Sequence, residues 1–229
     1  MKKILLGLAT VLIYILPANA DVTRSIGITA VASTIDSTVT DDIDSNGTID
    51  TTKDISNDIG YGSLFLEFTN ENVGPGSLTF GIDVIPMSAE FDSRSTTQES
   101  CKAKAAGACA QTTGTNRGTV DVDKHITLYL QPGITTSNGL TLFGTVGYVQ
   151  ADVDAEVTSI SSTNKNESLT LNGVKLGAGI KKTFGDSMFV KLEYAQTDYD
   201  DISVTTSNNT KVTADIDNTS LGLSIGKSF

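Results

Sequence analysis

Apolar and polar residues alternate along most of the chain with a period of two. The clearest example is residues 172–199, where two alternating runs flank a short turn at residues 183–187. In the first run Val174 and Leu176 share one face, and Lys175 lies on the other. Because successive side chains of a β-strand point to opposite faces of a sheet, this pattern predicts two antiparallel strands joined as a hairpin.

The same alternation predicts eight strands in all. Two belong to this hairpin, and the others lie at about residues 23–33, 60–69, 77–87, 120–131, 140–151 and 219–229. Their connections alternate in length. Short turns rich in Gly, Pro, Asn and Asp lie at residues 70–76, 132–139 and 183–187, and long polar loops at about 35–59, 88–119, 152–169 and 199–218. An up-and-down meander then places all short turns at one end and all long loops at the other.

One face of each predicted strand is apolar, whereas the opposite face carries Gly, Ser, Thr and charged residues. A soluble β-sandwich would bury the apolar face, and a membrane barrel would turn it toward lipid. The even strand number, the segregated loops and the scarcity of bulky apolar groups on the polar face favour an eight-stranded antiparallel transmembrane β-barrel, with a soluble exported sandwich as the alternative. The predicted lumen charges are Glu67, Asp83, Lys175, Lys181, Lys191 and Glu193.

We expect some of these lumen carboxylates to pair with lumen lysines. Pairing offsets the cost of removing charges from water inside a narrow barrel. The alternative is that individual charges lie at the wet ends of the barrel and pair with nothing.

Residues 1–20 have the features of a cleaved signal peptide. Lys2 and Lys3 precede a 13-residue apolar run at residues 4–16, and Ala18-Asn19-Ala20 forms an A-x-A cleavage site. The run is too short to cross a bilayer as a helix, which takes about 20 residues. We therefore expect an exported chain of residues 21–229 that forms one barrel domain.

The formal net charge is −11, and loss of the two lysines makes it −13. An acidic chain repels phosphate backbones, which argues against a nucleic-acid partner, and it attracts cations. The two cysteines, Cys101 and Cys109, predict a disulfide, because an exported protein matures in an oxidising compartment. Two Cys and one His offer too few ligands for a structural zinc site.

The chain resembles the small eight-stranded outer-membrane barrels of Gram-negative bacteria, the group of the OmpA transmembrane domain and OmpX. The resemblance rests on the signal segment, the eight strands, the hairpin with Gly177-Ala178-Gly179 and Glu193-Tyr194, and the last strand ending in Phe229. It implies a bacterial outer-membrane location with both mature termini in the periplasm. It also implies contact with membrane lipids, a monomer, and Phe229 as a signal to the barrel-assembly machinery. The chain stops at the barrel, so we expect no peptidoglycan-binding domain.

The sharpest local motif lies in the first long loop. Its calcium-ligand candidates follow the spacing of the first nine positions of an EF-hand loop: Asp42, Asp44, Asn46, Thr48 and Asp50. Oxygens at alternate positions can wrap a calcium ion where Gly47 permits the turn. Lys53, however, stands where a bidentate Glu belongs, and no helices flank the motif. The alternative is a solvated acidic loop.

His125, the only histidine, forms an H-x-T pair with Thr127 that is similar to the H-x-S pair of lipid A deacylase barrels. A Thr replaces the Ser nucleophile, and alternation turns His125 toward the lumen, so we expect a lumen or rim histidine and no catalytic residues. The leading functional prediction is a non-enzymatic outer-membrane barrel with a structural or surface-interaction role through acidic extracellular loops. A small porin-like channel is the alternative, and a lipid A-modifying enzyme is a third candidate. No cofactor is expected beyond the calcium candidate.

Overall fold

A computed structural model describes residues 22–42, 47–73, 76–86, 89–103, 109–158, 165–185, 187–205 and 211–229. The predicted signal segment lies outside these residues. The described chain forms nine strands: β1 (Val22–Asp42), β2 (Thr51–Val73), β3 (Gly76–Ile85), β4 (Ala89–Ala103), β5 (Cys109–Thr135), β6 (Leu140–Thr158), β7 (Lys165–Phe184), β8 (Met188–Thr205) and β9 (Lys211–Ser228). Within these ranges, no helix is long and apolar enough to cross a membrane.

Eight of these strands form a closed antiparallel ring. Consecutive strands pair from β5 to β9, β9 returns to β1, β1 pairs with β2, and β3 joins β2 to β5. At the closure, the backbone N–H of Phe229 donates to the carbonyl oxygen of Arg24 at 2.8 Å. β4 continues the path of β3 along β5, with Ile85 opposite His125 and Ala89 opposite Val122. The all-β, eight-stranded, up-and-down fold predicted from the alternation is confirmed.

The apolar face of the ring points outward. Ile28, Leu176 and Leu223 are 58%, 56% and 51% exposed, whereas the interleaved Ser25 and Ser224 are buried. In a soluble sandwich the exposure of the two faces would be reversed. The inward positions therefore belong to the lumen, as the pattern predicts.

Aromatic rings inside the barrel lie against glycines of the neighbouring strand. Four cross-strand partners show this arrangement: Gly27 with Phe65, Gly81 with Tyr129, Gly179 with Phe143, and Gly226 with Phe189. A Cβ on any of these glycines would lie within 2.6 Å of the ring. Each of the eight ring strands contributes to one such pair. The rings fill a narrow lumen because the glycines leave room for them.

The strands continue well beyond the apolar band, and the polarity pattern reverses there. We name this continuation the extension; it comprises the strand residues within about 35–59, 88–119, 152–169 and 199–218. In β1 the outward residues change from Ile26 and Ile28 to Thr34 and Asp36, while Ile35 and Val39 point inward and are half-buried. Inside this extension lies an apolar cluster of Val149, Ala151, Val153, Leu171 and Tyr199. The extension thus has the pattern of a water-soluble β-structure, with apolar residues inside and polar residues outside.

The predicted loop bounds are corrected by this extension. The segments at about 35–59, 88–119, 152–169 and 199–218 are largely strand, and the undescribed parts between these strands are 43–46, 104–108, 159–164 and 206–210. The physical reason is that inward Ile and Val residues can bury apolar surface only if the strands continue. Two short turns are close to their predicted places, with Gly139 (φ 75°) and Gly185 (φ 59°) in the left-handed region.

Candidate functional site

A buried ion pair crosses the lumen between β2 and β8. Lys191 Nζ contacts Glu67 Oε1, and the two residues are 4% and 1% exposed. The hydroxyl of Tyr129 donates to the same carboxylate oxygen at 2.8 Å. Lys191 Nζ also lies 4.6 Å from the ring centroid of Phe65. Carboxylate, phenol and aromatic ring together compensate a lysine that is otherwise removed from water.

A second ion pair lies nearby and is more accessible. Lys175 Nζ is 2.6 Å from Glu193 Oε1, and the two side chains are 25% and 13% exposed. The side-chain amide of Gln131 donates to Glu193 Oε2 at 2.9 Å. The structure thus brings four of the six predicted lumen charges into two pairs.

The remaining two predicted lumen charges have other partners. Asp83 accepts a hydrogen bond of 2.7 Å from the hydroxyl of Ser63. Lys181 places its Nζ 4.2 Å from the ring centroid of Phe189. Both lie inside the ring, so alternation predicted their face correctly, whereas their partners come from neighbouring strands.

Two polar cavities lie on either side of the Lys191–Glu67 pair. One of about 60 Å³ is lined by Lys191, Asp83 and His125, and one of about 260 Å³ by Glu67, Lys181 and hydroxyl side chains near the short turns. Gln131 lines both cavities. The ion pair and the surrounding aromatic rings therefore form the layer that divides the lumen. We name the ion pair with Phe65, Tyr129 and Phe143 the closing layer.

Sequence reasoning missed the aromatic members of the closing layer, because it took the inward face to be poor in bulky groups. The signal was present. Phe65 lies on the same strand face as Glu67, and Phe189, a buried ring outside the closing layer, lies on the same strand face as Lys191. Aromatic residues among charged ones on the same strand face, with glycines on the neighbouring strand, would have indicated a filled lumen.

His125 faces the lumen, as alternation predicts. Its Nε2 lies 3.1 Å from the hydroxyl of Tyr199, and its Nδ1 is buried without a hydrogen-bond partner among the described residues. The neighbouring Thr127 is also buried inside. Tyr199 thus places a phenol at the position where a hydrolytic triad has a carboxylate.

The calcium-ligand candidates are only partly described. Asp44 and Asn46 lie outside the described residues. Asp42 is buried, and its Oδ2 accepts the backbone N–H of Gly47 at 2.8 Å. Thr48 and Asp50 follow as irregular, exposed chain. Within the described part of the chain no group of three or more His, Cys, Asp or Glu side chains could hold a metal ion.

The predicted disulfide also lies outside what is described, because only the backbone of Cys101 and Cys109 is placed. In the β4–β5 register Cys101 is opposite Gln111, and Ala103 is opposite Cys109. The two cysteines are therefore diagonal neighbours on one hairpin. The disulfide stays a prediction.

Carboxylates lie side by side on the outer face of the extension. Asp36, Asp217 and Asp198 are directly opposite one another across β1, β9 and β8. Partial burial, and then the charges of Asp198, Asp215 and Asp36, raise the pKa of Asp217. Like charges in register repel, so this acidic surface does not serve the stability of the sheet.

Comparisons with known proteins agree with this architecture. Residues 6–229 match the family described as outer membrane protein beta-barrel domain, and the chain belongs to that family. It is therefore a bacterial outer-membrane β-barrel, and the apolar band is its membrane-facing surface.

Similar solved structures include Ail, the attachment invasion locus protein of Yersinia pestis, with 14% identity over 92% of this chain and 99% of that one (TM-score 0.41). They also include the outer membrane protease OmpT from Escherichia coli, with 10% identity over 92% of this chain and 98% of that one (TM-score 0.46). Neisserial surface protein A is 9% identical over 88% and 97% (TM-score 0.36). No curated protein matches the chain significantly.

Proposed function

We propose that this protein is a closed, non-enzymatic barrel whose role lies at its surface. The observation that supports this is the closing layer. Lys191 and Glu67 are almost completely buried, and their ion pair separates the two cavities. A solute would have to break an ion pair and displace aromatic rings in order to pass. Recognition would then fall to the extension, which is the part of the barrel outside the membrane.

The proposed orientation places the short turns in the periplasm and the extension outside the cell. Arg24 and Phe229 are paired at the short-turn end, so both ends of the described chain lie there. The acidic, water-facing extension suits an extracellular position. In this orientation the outward apolar residues contact outer-membrane lipids, Phe229 serves the assembly machinery, and the barrel acts as a monomer.

Planar-bilayer conductance tests whether the lumen is closed. We expect the purified barrel to show no discrete channel openings in 1 M KCl. The double variant Lys191→Ala and Glu67→Ala should conduct, because it removes both halves of the closing layer. The control is Lys182→Ala. It changes an exposed lysine near a short turn, whose Nζ donates to the carbonyl oxygen of Asn138, and this variant should stay closed. Discrete openings in the unmodified barrel would instead support the alternative of a small channel.

That alternative is favoured by one observation, the polar cavities on both sides of the closing layer. Together they provide much of a water-filled path that only the ion pair and rings interrupt. In this case transient exchange of Lys191 between Glu67 and another carboxylate would open the path. The conductance record of the unmodified protein distinguishes the two proposals directly.

Calcium binding by Asp42, Asp44, Asn46, Thr48 and Asp50 remains a proposal that rests on the motif. The backbone N–H of Gly47 donates to Asp42 Oδ2 at 2.8 Å, which brings two described residues of the motif together. Calorimetric titration of the folded barrel should show saturable calcium binding that Asp44→Ala abolishes and Asp152→Ala leaves unchanged. Absence of heat at millimolar calcium would identify the segment as a solvated acidic loop.

A further inference from the structure

The larger of the two lumen cavities is a second feature with chemical character of its own. It encloses about 260 Å³ next to the closing layer, and Glu67 and Phe143 line its inner part. Thr135, Thr183 and Glu71 also line it and are exposed, so the cavity opens to solvent at the short-turn end. A cavity of about 150 Å³ holds a benzene ring, so this one can hold a molecule as large as a dipeptide of small residues. We name it the turn cavity.

Lys181 brings an ammonium group into the turn cavity without a carboxylate contact. Its Nζ lies 4.2 Å from the ring centroid of Phe189, and among the described residues it forms no ion pair or hydrogen bond. Lys181 is directly opposite Lys191 on the paired strands β7 and β8, and of these two lysines Glu67 contacts only Lys191. Like charges opposite one another repel. An anionic group of a ligand beside Lys181 would therefore compensate a charge that the barrel leaves with an aromatic ring alone.

A carboxylate of opposite charge lies at the entrance of the same cavity. Glu71 is exposed, and it lies close enough to Lys181 for an electrostatic interaction. Within the described part of the chain the two residues form no ion pair with each other. A cation and an anion that line one cavity without touching are complementary to a molecule that carries both charges. Its anionic group would contact Lys181, and its cationic group would contact Glu71.

The wall of the turn cavity also supplies hydroxyl groups. The hydroxyls of Thr69 and Thr79 are 2.8 Å apart, as are those of Thr135 and Thr141. Each pair uses one hydroxyl proton between its members, so the other proton is available to a ligand. Thr141 is directly opposite Lys181 on the paired strands β6 and β7. An anionic group at this place can therefore receive hydrogen bonds from a hydroxyl and an ammonium group of neighbouring strands.

We propose that the turn cavity binds a small zwitterion of the size of a dipeptide. The ligand carboxylate would lie beside Lys181 and Thr141, and the ligand ammonium group beside Glu71. Because the closing layer bounds the cavity, the ligand would enter and leave by the short-turn end and would not cross the barrel. In the proposed orientation that end faces the periplasm. This binding site goes beyond the proposed surface role and lies at the opposite end of the barrel from it.

The test is an NMR titration of the folded barrel in phosphatidylcholine nanodiscs with the dipeptide Ala-Ala. We expect saturable shifts of the backbone amides of Thr141 and Lys181, with a millimolar Kd because few contacts hold the ligand. Ala-Ala amide lacks the negative charge and should bind about tenfold more weakly, since a charge-assisted contact inside the cavity is lost. N-acetyl-Ala-Ala lacks the positive charge and should bind about threefold more weakly, since its partner is exposed. The dipeptide capped at both ends should not bind.

Two variants connect each ligand charge to its partner. Lys181→Met should raise the Kd for Ala-Ala about tenfold, and amidation of the ligand should then have no further effect, because that contact is already lost. Glu71→Gln should raise the Kd about threefold and remove the effect of N-acetylation. Lys182→Met changes the adjacent lysine, which lies on the outward face of the same strand, and should leave the Kd unchanged. The electrophoretic shift of unheated protein checks folding, and the exposed position of Glu71 keeps the test decisive if Lys181→Met does not fold.

Three results would overturn the inference: no saturable shift with millimolar Ala-Ala, equal binding of the doubly capped dipeptide, or shifts confined to the extension. An unchanged Kd in Glu71→Gln, with N-acetylation still effective, would overturn the zwitterion as the ligand class. Conductance of the same preparation separates these failures from failure of the proposed function. A closed barrel that does not bind Ala-Ala overturns only the turn-cavity site, whereas an open barrel that binds it overturns only the closed-lumen proposal.

Discussion

Replacing Lys191 with Met should destabilise the barrel by about 3–5 kcal/mol, because it leaves the buried Glu67 carboxylate without its cation. Glu67 is 1% exposed, and its described partners are Lys191 and the hydroxyl of Tyr129. One phenol cannot replace a full positive charge. Urea unfolding in lipid vesicles, with folding monitored by the electrophoretic shift of unheated barrel, measures the change.

Lys175→Met is the matched control for this prediction. The Lys175–Glu193 pair is more exposed, at 25% and 13%, and Glu193 keeps a hydrogen bond from Gln131. The expected loss is about 1 kcal/mol, since water can compensate a partly accessible carboxylate. The double variant Lys191→Met with Glu67→Met should recover part of the stability, because it removes both buried charges and leaves only the Tyr129 hydroxyl without its acceptor. Equal losses in the two single lysine variants would contradict the closing layer as described.

Replacing Gly226 with Ala should cost about 1–3 kcal/mol, because the new methyl group collides with a ring that cannot move. An ideal Cβ at Gly226 would lie 2.3 Å from the Phe189 ring, and Phe189 is fully buried. The barrel wall holds both strands in register, so neither partner can shift by the required ångström. The same urea titration measures the loss.

Gly144→Ala is the control glycine in this experiment. The nearest atom to its added Cβ, the carbonyl oxygen of Gly177, is 3.8 Å away. This variant should be neutral or stabilising by up to about 1 kcal/mol, because Ala restricts the unfolded chain more than Gly does. Combining Gly226→Ala with Phe189→Leu should cost less than the sum of the two single changes, since the smaller side chain relieves the collision. Strict additivity would show that the ring and the glycine do not interact.

Much of the fold could be predicted from local pattern alone. Alternation identified the eight ring strands and placed Leu223 outside and Lys191 inside, because the pleat of a strand leaves a side chain only two directions. Glycine and polar clusters located the short turns. The alternation also continues past the apolar band, but there the inward residues are apolar and the outward residues are polar. Ile35 and Asp36 were consequently taken for loop residues instead of strand.

The partners inside the lumen could not be predicted in this way. Glu67 and Lys191 are 124 residues apart, and their contact depends on ring closure and on the stagger between strands. The candidate calcium ligands and the cysteines show the opposite limit. Their motifs are local, and whether the side chains converge depends on the conformation of the connecting segment.

The amino-acid sequence by itself determined the class of structure, the face of each strand and the membrane-facing band, because these follow from a period of two and from the preference of lipid for apolar side chains. The tertiary structure decided which charges meet and which rings fill the glycine gaps. Those features depend on strand register and ring closure, which bring together residues that no local pattern connects.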